Sequence, residues 1–177
     1  MERVYFDTNF FIYLIAGLEP YRWRVSTLSD MVARKEIVGV TGEITLAETL
    51  VSPLRNRDIE QVLAIKRLFC ESQMFELTSI TIQMWESAAG IRAKNKIGLA
   101  DALHLAVAQE TKCRFFLTND KRIKSLPGLE VLYLGDEDAE LRLKNSVQEP
   151  AVIYPAHFAQ HSSTESIRTK LRMLELD

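Results

Sequence analysis

Val4-Tyr5-Phe6-Asp7-Thr8-Asn9 stands near the start of the chain: three apolar residues that favour strands, then an acid, a hydroxyl and an amide. A short unbroken apolar run closed at once by polar residues reads as a buried strand entering a turn. The pattern returns at Phe115-Phe116-Leu117-Thr118-Asn119-Asp120. Further runs of this kind lie at 37–41 and 131–134, with a weaker one at 75–77. They are continuous rather than alternating, as in strands covered on both faces, which is the habit of parallel sheets.

Helical patterns fill the intervals. Residues 10–15 read as a short helix, and 20–35 as a longer one with Pro20 near its first position. Residues 43–54 place Ile44, Ala47 and Val51 on one face, expected to meet the core. Residues 58–71 carry Ile59, Val62, Leu63, Phe69 and Cys70 near i, i+3, i+4 spacing, and 81–95 align Ile82, Trp85 and Ala89. Residues 99–111 are apolar almost all round, so that helix is expected at the centre, and Trp23, Trp85 and the phenylalanines are expected in the core. Strands separated by helices predict an α/β fold in three layers, with a mainly parallel central sheet flanked by helices.

The chain has 177 residues, which suits one domain. Its expected extent is 1–135. Beyond that, Asp136-Glu137-Asp138 is acidic, Pro150 and Pro155 flank an irregular stretch, and Ser162-Ser163-Thr164-Glu165 fits a capping box. A helix at about 163–176 would then line up Ile167, Leu171 and Leu174. A tail of roughly forty residues buries no independent core, so 136–177 is read as an extension.

Composition narrows the function. With 47% hydrophobic and 26% charged residues, a net charge of −2 and a pI near 6.0, this is not a strongly basic nucleic-acid binder. It remains compatible with an enzyme that gathers carboxylates around a metal, whose working region is negative until the ion arrives. No apolar run approaches the roughly 18 residues of a membrane span, and the first residues lack the apolar stretch of a signal peptide. Cys70 and Cys113 sit in no C-x-x-C pattern and have no histidine at metal spacing. They read as two buried, reduced thiols, which points to the cytoplasm.

Four acids attract notice. Asp7 and Asp120 each follow a strand; either they cap a helix and sit in a turn, or they converge at the carboxyl ends of a parallel sheet, where ligands bind. Asp101 lies in Gly98-Leu99-Ala100-Asp101-Ala102-Leu103-His104, an apolar helix start. There it either faces solvent or is paired, hydrogen-bonded or on a metal. Glu48 borders the apolar face of 43–54, on the flank of a cleft or of an ordinary surface helix. His104, three residues beyond Asp101, is expected to be a satisfied, partly buried histidine. Lys94, Lys96, Lys121, Arg122 and Lys124 neighbour the acids in sequence, as phosphate contacts or as solvated surface charge.

Tyr5-Phe6-Asp7-Thr8-Asn9, Leu46-Ala47-Glu48, Ala100-Asp101-Ala102-Leu103-His104-Leu105-Ala106 and Leu117-Thr118-Asn119-Asp120 resemble, in order and interval, the four motifs of PIN domains. In particular they look like those of the VapC-type toxins of bacterial and archaeal toxin–antitoxin pairs. The resemblance spans residues 1 to about 135. It implies an acidic pocket at the carboxyl end of the sheet and a metal-dependent endoribonuclease that hydrolyses RNA phosphodiester bonds. Asp7, Glu48, Asp101 and Asp120 would be its catalytic and metal-holding acids, with Thr8, Asn9, Thr118 and Asn119 in support. Such oxygen donors suit Mg²⁺ or Mn²⁺ rather than Zn²⁺. The resemblance further implies a small antitoxin partner and a homodimer. Two other readings stand beside it. One is a catalytically silent PIN-fold module that holds RNA or a protein. The other is a phosphatase of the haloacid-dehalogenase type, whose nucleophile loop Phe6-Asp7 resembles; that pattern wants a second Asp where Asn9 stands, and it leaves Glu48 and Asp101 unexplained.

Overall fold

Alternate side chains of the first strand, β1 (Arg3–Phe6), part to opposite faces, Val4 and Phe6 into one buried cluster and Tyr5 into another. In this computed structural model, which describes residues 1–136 and 138–146, the same division runs through the neighbouring strands. Phe115 and Leu117 of β4 (Phe115–Thr118) face one way and Phe116 the other, as do Leu132 and Val131 of β5 (Glu130–Tyr133). Both faces are thus apolar and both are covered, which explains the unbroken strand patterns.

With β2 (Val38–Gly42) and β3 (Glu76–Thr78), the sheet has the order β3-β2-β1-β4-β5, and all its pairings are parallel. From the central β1 the chain builds outward one way to β3 and then returns to build the other way through β4 and β5. The order therefore reverses between β1 and β4, and a crevice opens beyond their carboxyl ends. The register Phe6↔Leu117 sets Asp7 beside Thr118 at that point.

One face carries α1 (Thr8–Ala16), α2 (Arg22–Ala33), α4 (Ile59–Lys66) and a π-helical turn at Arg67–Glu71. The other carries α5 (Ile82–Lys94) and α6 (Leu99–Glu110), while α3 (Glu43–Asn56) follows directly on β2. As expected, α6 is central, with Ala102 through Ala108 buried. Pro20 precedes α2 rather than opening it.

Three helix faces differ from expectation. In α3 the buried residues are Thr45, Thr49 and Pro53, while Ala47 and Val51 are exposed. Threonine is cheap to bury here because Thr49 Oγ1 donates to the Thr45 carbonyl at 2.8 Å and Thr45 Oγ1 accepts from Thr41. Helix α5 turns Met84, Ala88 and Ile91 inward and leaves Ile82, Trp85 and Ala89 outside. In the 58–71 segment Val62, Ile65, Leu68 and Phe69 are buried, whereas Ile59, Leu63 and Cys70 are exposed. Trp23 and Trp85 lie at the surface, 66% and 45% exposed, so the aromatic core is built of phenylalanine and Tyr5.

Helix α7 (Ala139–Ser146) follows the expected boundary at Gly135 and sends Ala139 and Leu143 into the same cluster as Phe6 and Leu117. The helix expected at about 163–176 lies outside the described residues. No helix among the described residues is long and apolar enough to cross a membrane. Both cysteines are free, and burial pushes the Cys113 thiol up to about 11.

Candidate active site

Asp7 caps a helix and also lies at the carboxyl end of the sheet. Its extended backbone ends β1 and caps α1, with Oδ1 accepting from the Thr8 N–H at 2.7 Å. Its Oδ2 accepts from the Thr118 hydroxyl at 2.6 Å and from the Asn9 amide at 3.3 Å. The side chain is buried, and a carboxylate is tolerable there because donors surround it and a helix N-terminus lies beneath it. Asn9, at the position where the phosphatase pattern has its second acid, is one of those donors.

Thr118 ties two acids together. While its hydroxyl donates to Asp7, its oxygen accepts from the Asp120 N–H at 3.0 Å. A threonine at the end of β4 thus fixes the turn that presents Asp120. Asn119 points elsewhere, donating to the Tyr13 hydroxyl at 3.0 Å.

Glu48 reaches the same crevice from α3. Its Oε2 accepts from the Thr8 hydroxyl and, at 3.0 Å, from Nε2 of His104. The His104 hydrogen bond, aided by that of Thr8, holds this half-buried carboxyl below the usual range despite partial desolvation. His104 Nε2 also stands 3.7 Å from Asp7 Oδ1, so one imidazole faces both acids. The histidine is fully buried and bonded on both sides, its Nδ1 lying 2.7 Å from the Tyr5 hydroxyl. The sequence anticipated a satisfied histidine; its place between Glu48 and Asp7 had no signal beyond the spacing to Asp101.

Asp101 sits in the first turn of α6, where its Oδ2 accepts from the Gly98 N–H at 3.3 Å. Asp120 is gripped by Arg122, whose Nε lies 3.0 Å from both oxygens and whose terminal nitrogen is 2.5 Å from Oδ2. That contact holds Asp120 below the usual carboxylate range. The same nitrogen stands 3.9 Å from Asp101 Oδ2, so the guanidinium faces both acids.

The four acids therefore stand as two pairs at the carboxyl ends of the strands. Asp7 and Glu48 meet around His104, Asp101 and Asp120 around Arg122, and Thr118 joins the pairs. The donor chemistry fits a hard divalent cation: carboxylate oxygens with hydroxyls at hand and no thiol among them. Arg122 marks where positive charge is already drawn. As placed, no three His, Cys, Asp or Glu side chains among the described residues are close enough to hold one ion together. Of the other cations, Lys121 pairs with Asp136 at 2.7 Å and lies over the Tyr133 ring, which Lys124 also approaches. Lys94 and Lys96 are exposed. A groove of about 720 Å³ lined by Met1, Lys35, Ile37 and Met74 opens at the amino ends of the strands, and none of the four acids borders it.

The sequence profile of the PIN domain matches residues 4–129, and the chain belongs to that family. No protein of curated function is detectably similar to it in sequence. Solved structures share its fold. VapBC2 of Rickettsia felis, bound to a DNA fragment from its promoter, superposes with a TM-score of 0.59 at 19% identity, covering 74% of this chain and 98% of that one. DNA-bound VapBC of Salmonella typhimurium gives 0.58 at 20% identity over 76% and 99%. VapC20 of Mycobacterium tuberculosis, described as a toxin that cleaves the sarcin–ricin loop, gives 0.53 at 18% identity over 64% and 86%.

Proposed function

We propose that this chain is a divalent-metal-dependent endoribonuclease of the VapC type, with Asp7, Glu48, Asp101 and Asp120 as its working acids. The observation that carries the reading is the placing of these acids, drawn from four separate elements, as two pairs joined by Thr118 at the point where the strand order reverses.

Asp7, Asp101 and Asp120 would hold Mg²⁺ or Mn²⁺, with Glu48 completing the set or orienting a water. When bound, such an ion lowers the pKa of a coordinated water, orients it and offsets charge on the scissile phosphate. The protein's own groups prepare for this. Thr8, Asn9 and Thr118 fix the Asp7 oxygens, and Thr118 sets the Asp120 turn. His104 keeps Glu48 ionised, so that it accepts a hydrogen bond from a water rather than donating one. Arg122, whose guanidinium is largely exposed, borders both Asp101 and Asp120 and is suited to meet a backbone phosphate; Lys94, Lys96, Lys121 and Lys124 would extend that contact.

The structures with which this chain shares its fold include VapB–VapC pairs, which favours a small antitoxin as a partner. Membership of the PIN family also favours a homodimer. The two thiols and the composition favour the cytoplasm.

The test is cleavage of labelled RNA by purified protein with Mn²⁺, beside an Asp7→Asn variant. Cleavage by the wild type alone is expected. Equal cleavage by both would expose a contaminant, and binding without cleavage by either would make the chain a silent module. Mn²⁺ should also raise the melting temperature, by an increment equivalent to about 2.7 kcal/mol at a hundredfold excess over Kd, and an unmoved transition would count against the metal site. Mass in solution tests the homodimer, and a small DNA-binding reading frame beside the gene would support the antitoxin.

A further inference from the structure

We propose that His104 is a positioning residue of the acid site: the Tyr5 hydroxyl and the Gly42 amide behind it hold the imidazole with Nε2–H toward Glu48, and this fixes the Glu48 carboxylate beside Asp7. Its catalytic consequence rests on the nuclease reading above; its geometry does not.

The directions agree from the backbone donor at one end to the accept-only carboxylate at the other. The Gly42 N–H can only donate, and it points at the Tyr5 oxygen at 3.1 Å. The absence of a side chain at position 42 permits this approach, because a Cβ there would itself lie 3.1 Å from the Tyr5 oxygen. Tyr5 is fully buried, and a phenol carries its proton up to about pH 10. The phenol therefore keeps its proton and donates it. His104 Nδ1, at 2.7 Å, receives it. With Nδ1 acting as acceptor, the ring proton resides on Nε2.

That N–H meets Glu48 Oε2 at 3.0 Å, flanked by Thr8 Oγ1 at 3.4 Å and Asp7 Oδ1 at 3.7 Å. The Thr8 hydroxyl donates to the same Glu48 oxygen. The opposite tautomer would set a nitrogen lone pair against the accept-only Glu48 carboxylate, and that contact repels. A histidine that only filled space would be equally content with either tautomer. Here donors run one way from a strand backbone, through two rings, to a carboxylate. A glutamate on a helix surface has rotamers that lead into solvent; this one is held in the crevice by groups that cannot move without disturbing the core.

The experiment uses the full chain with ¹⁵N-labelled histidine and long-range ¹H–¹⁵N correlation, which distinguishes the tautomers. The His104→Gln spectrum identifies the signal among the three histidines. The expected wild-type pattern is Nε2–H, with Tyr5→Phe releasing a mixture. His104→Ala should weaken Mn²⁺ binding and lower kcat by about 10–100-fold, the usual effect of removing an outer partner, while KM for RNA is unchanged. His104→Gln, whose amide can still donate to Glu48, should recover part of both. A wild-type Nδ1–H pattern would overturn the proposal. So would a folded His104→Ala protein with wild-type Mn²⁺ affinity and kcat. If the wild type cuts no RNA, the nuclease reading falls, and the tautomer and Mn²⁺ affinity still decide the role of His104.

Discussion

The Arg122 guanidinium lies across the carboxylate of Asp120, its terminal nitrogen 2.5 Å from Oδ2 and Nε 3.0 Å from both oxygens. Because that nitrogen also faces Asp101, the arginine serves as counter-charge to both acids. An arriving divalent cation competes with it for the same oxygens, whereas an arriving phosphate is attracted by it. Replacing Arg122 by alanine is therefore expected to have opposite effects on two titrations. Mn²⁺ affinity, followed by calorimetry, should tighten severalfold, and RNA affinity in EDTA should fall. Changes of one sign in both would remove Arg122 from this role.

Asp7 is an acceptor among donors. The Thr8 N–H, the Asn9 amide and the Thr118 hydroxyl all point at its oxygens, and His104 Nε2 stands close by. Asparagine has the same shape but puts an NH₂ where an oxygen accepts. Asp7→Asn should therefore abolish RNA cleavage and also lower the unfolding free energy by about 1–3 kcal/mol, the penalty of mispaired buried polar groups. Urea unfolding without metal reads the second effect. A variant as stable as the wild type would show that the donors reorient freely.

Asp101 was the most legible acid, because a carboxylate in so apolar a helix start is costly to bury unpaired. Asp7 and Asp120 each close a strand, which places them at its carboxyl end, but each alone reads equally as a helix cap or a turn acid. Glu48 needed the family pattern, because a helix flank alone does not say what it faces. The link through His104 was not readable, since it depends on Tyr5 and Glu48, 99 and 56 residues away in the chain. The helix faces failed for another reason. Periodicity scores Thr45 and Thr49 as polar and Val51 as apolar, yet hydroxyls bonded within their own helix bury cheaply. Short α7, with Ala139 and Leu143 as its buried apolar residues, gave too weak a period to detect.

Glu48 makes a pH prediction whose sign follows from its contacts. Its carboxyl is held below the usual range by His104 first and Thr8 after it. A depressed carboxyl stabilises the fold while ionised. That contribution is whole above the ordinary glutamate value of about 4.3, falls as pH drops toward the folded-state value and is absent below it. Asp120 has the same sign through Arg122, weakened by solvent because that contact is open. Glu48→Gln should thus be less stable than the wild type near neutral pH, with the gap closing on acidification through the carboxylate range. Urea midpoints across that range measure it. A gap that widens on acidification would reverse the assignment.

Leu143 tests where the domain ends. It is fully buried in α7, in the cluster that contains Phe6, Leu117 and Leu134, although it lies past the boundary expected at Gly135. If this helix belongs to the core, Leu143→Ala leaves a cavity and should lower the unfolding free energy by about 2–5 kcal/mol. The same variant should leave the acid site intact, because no contact in that site involves Leu143. Its Mn²⁺ affinity, measured well below the melting transition, should therefore match the wild type. Loss of stability without loss of metal binding would make α7 part of the scaffold. A change within about 0.5 kcal/mol, the size of an ordinary surface substitution, would return the boundary to Gly135.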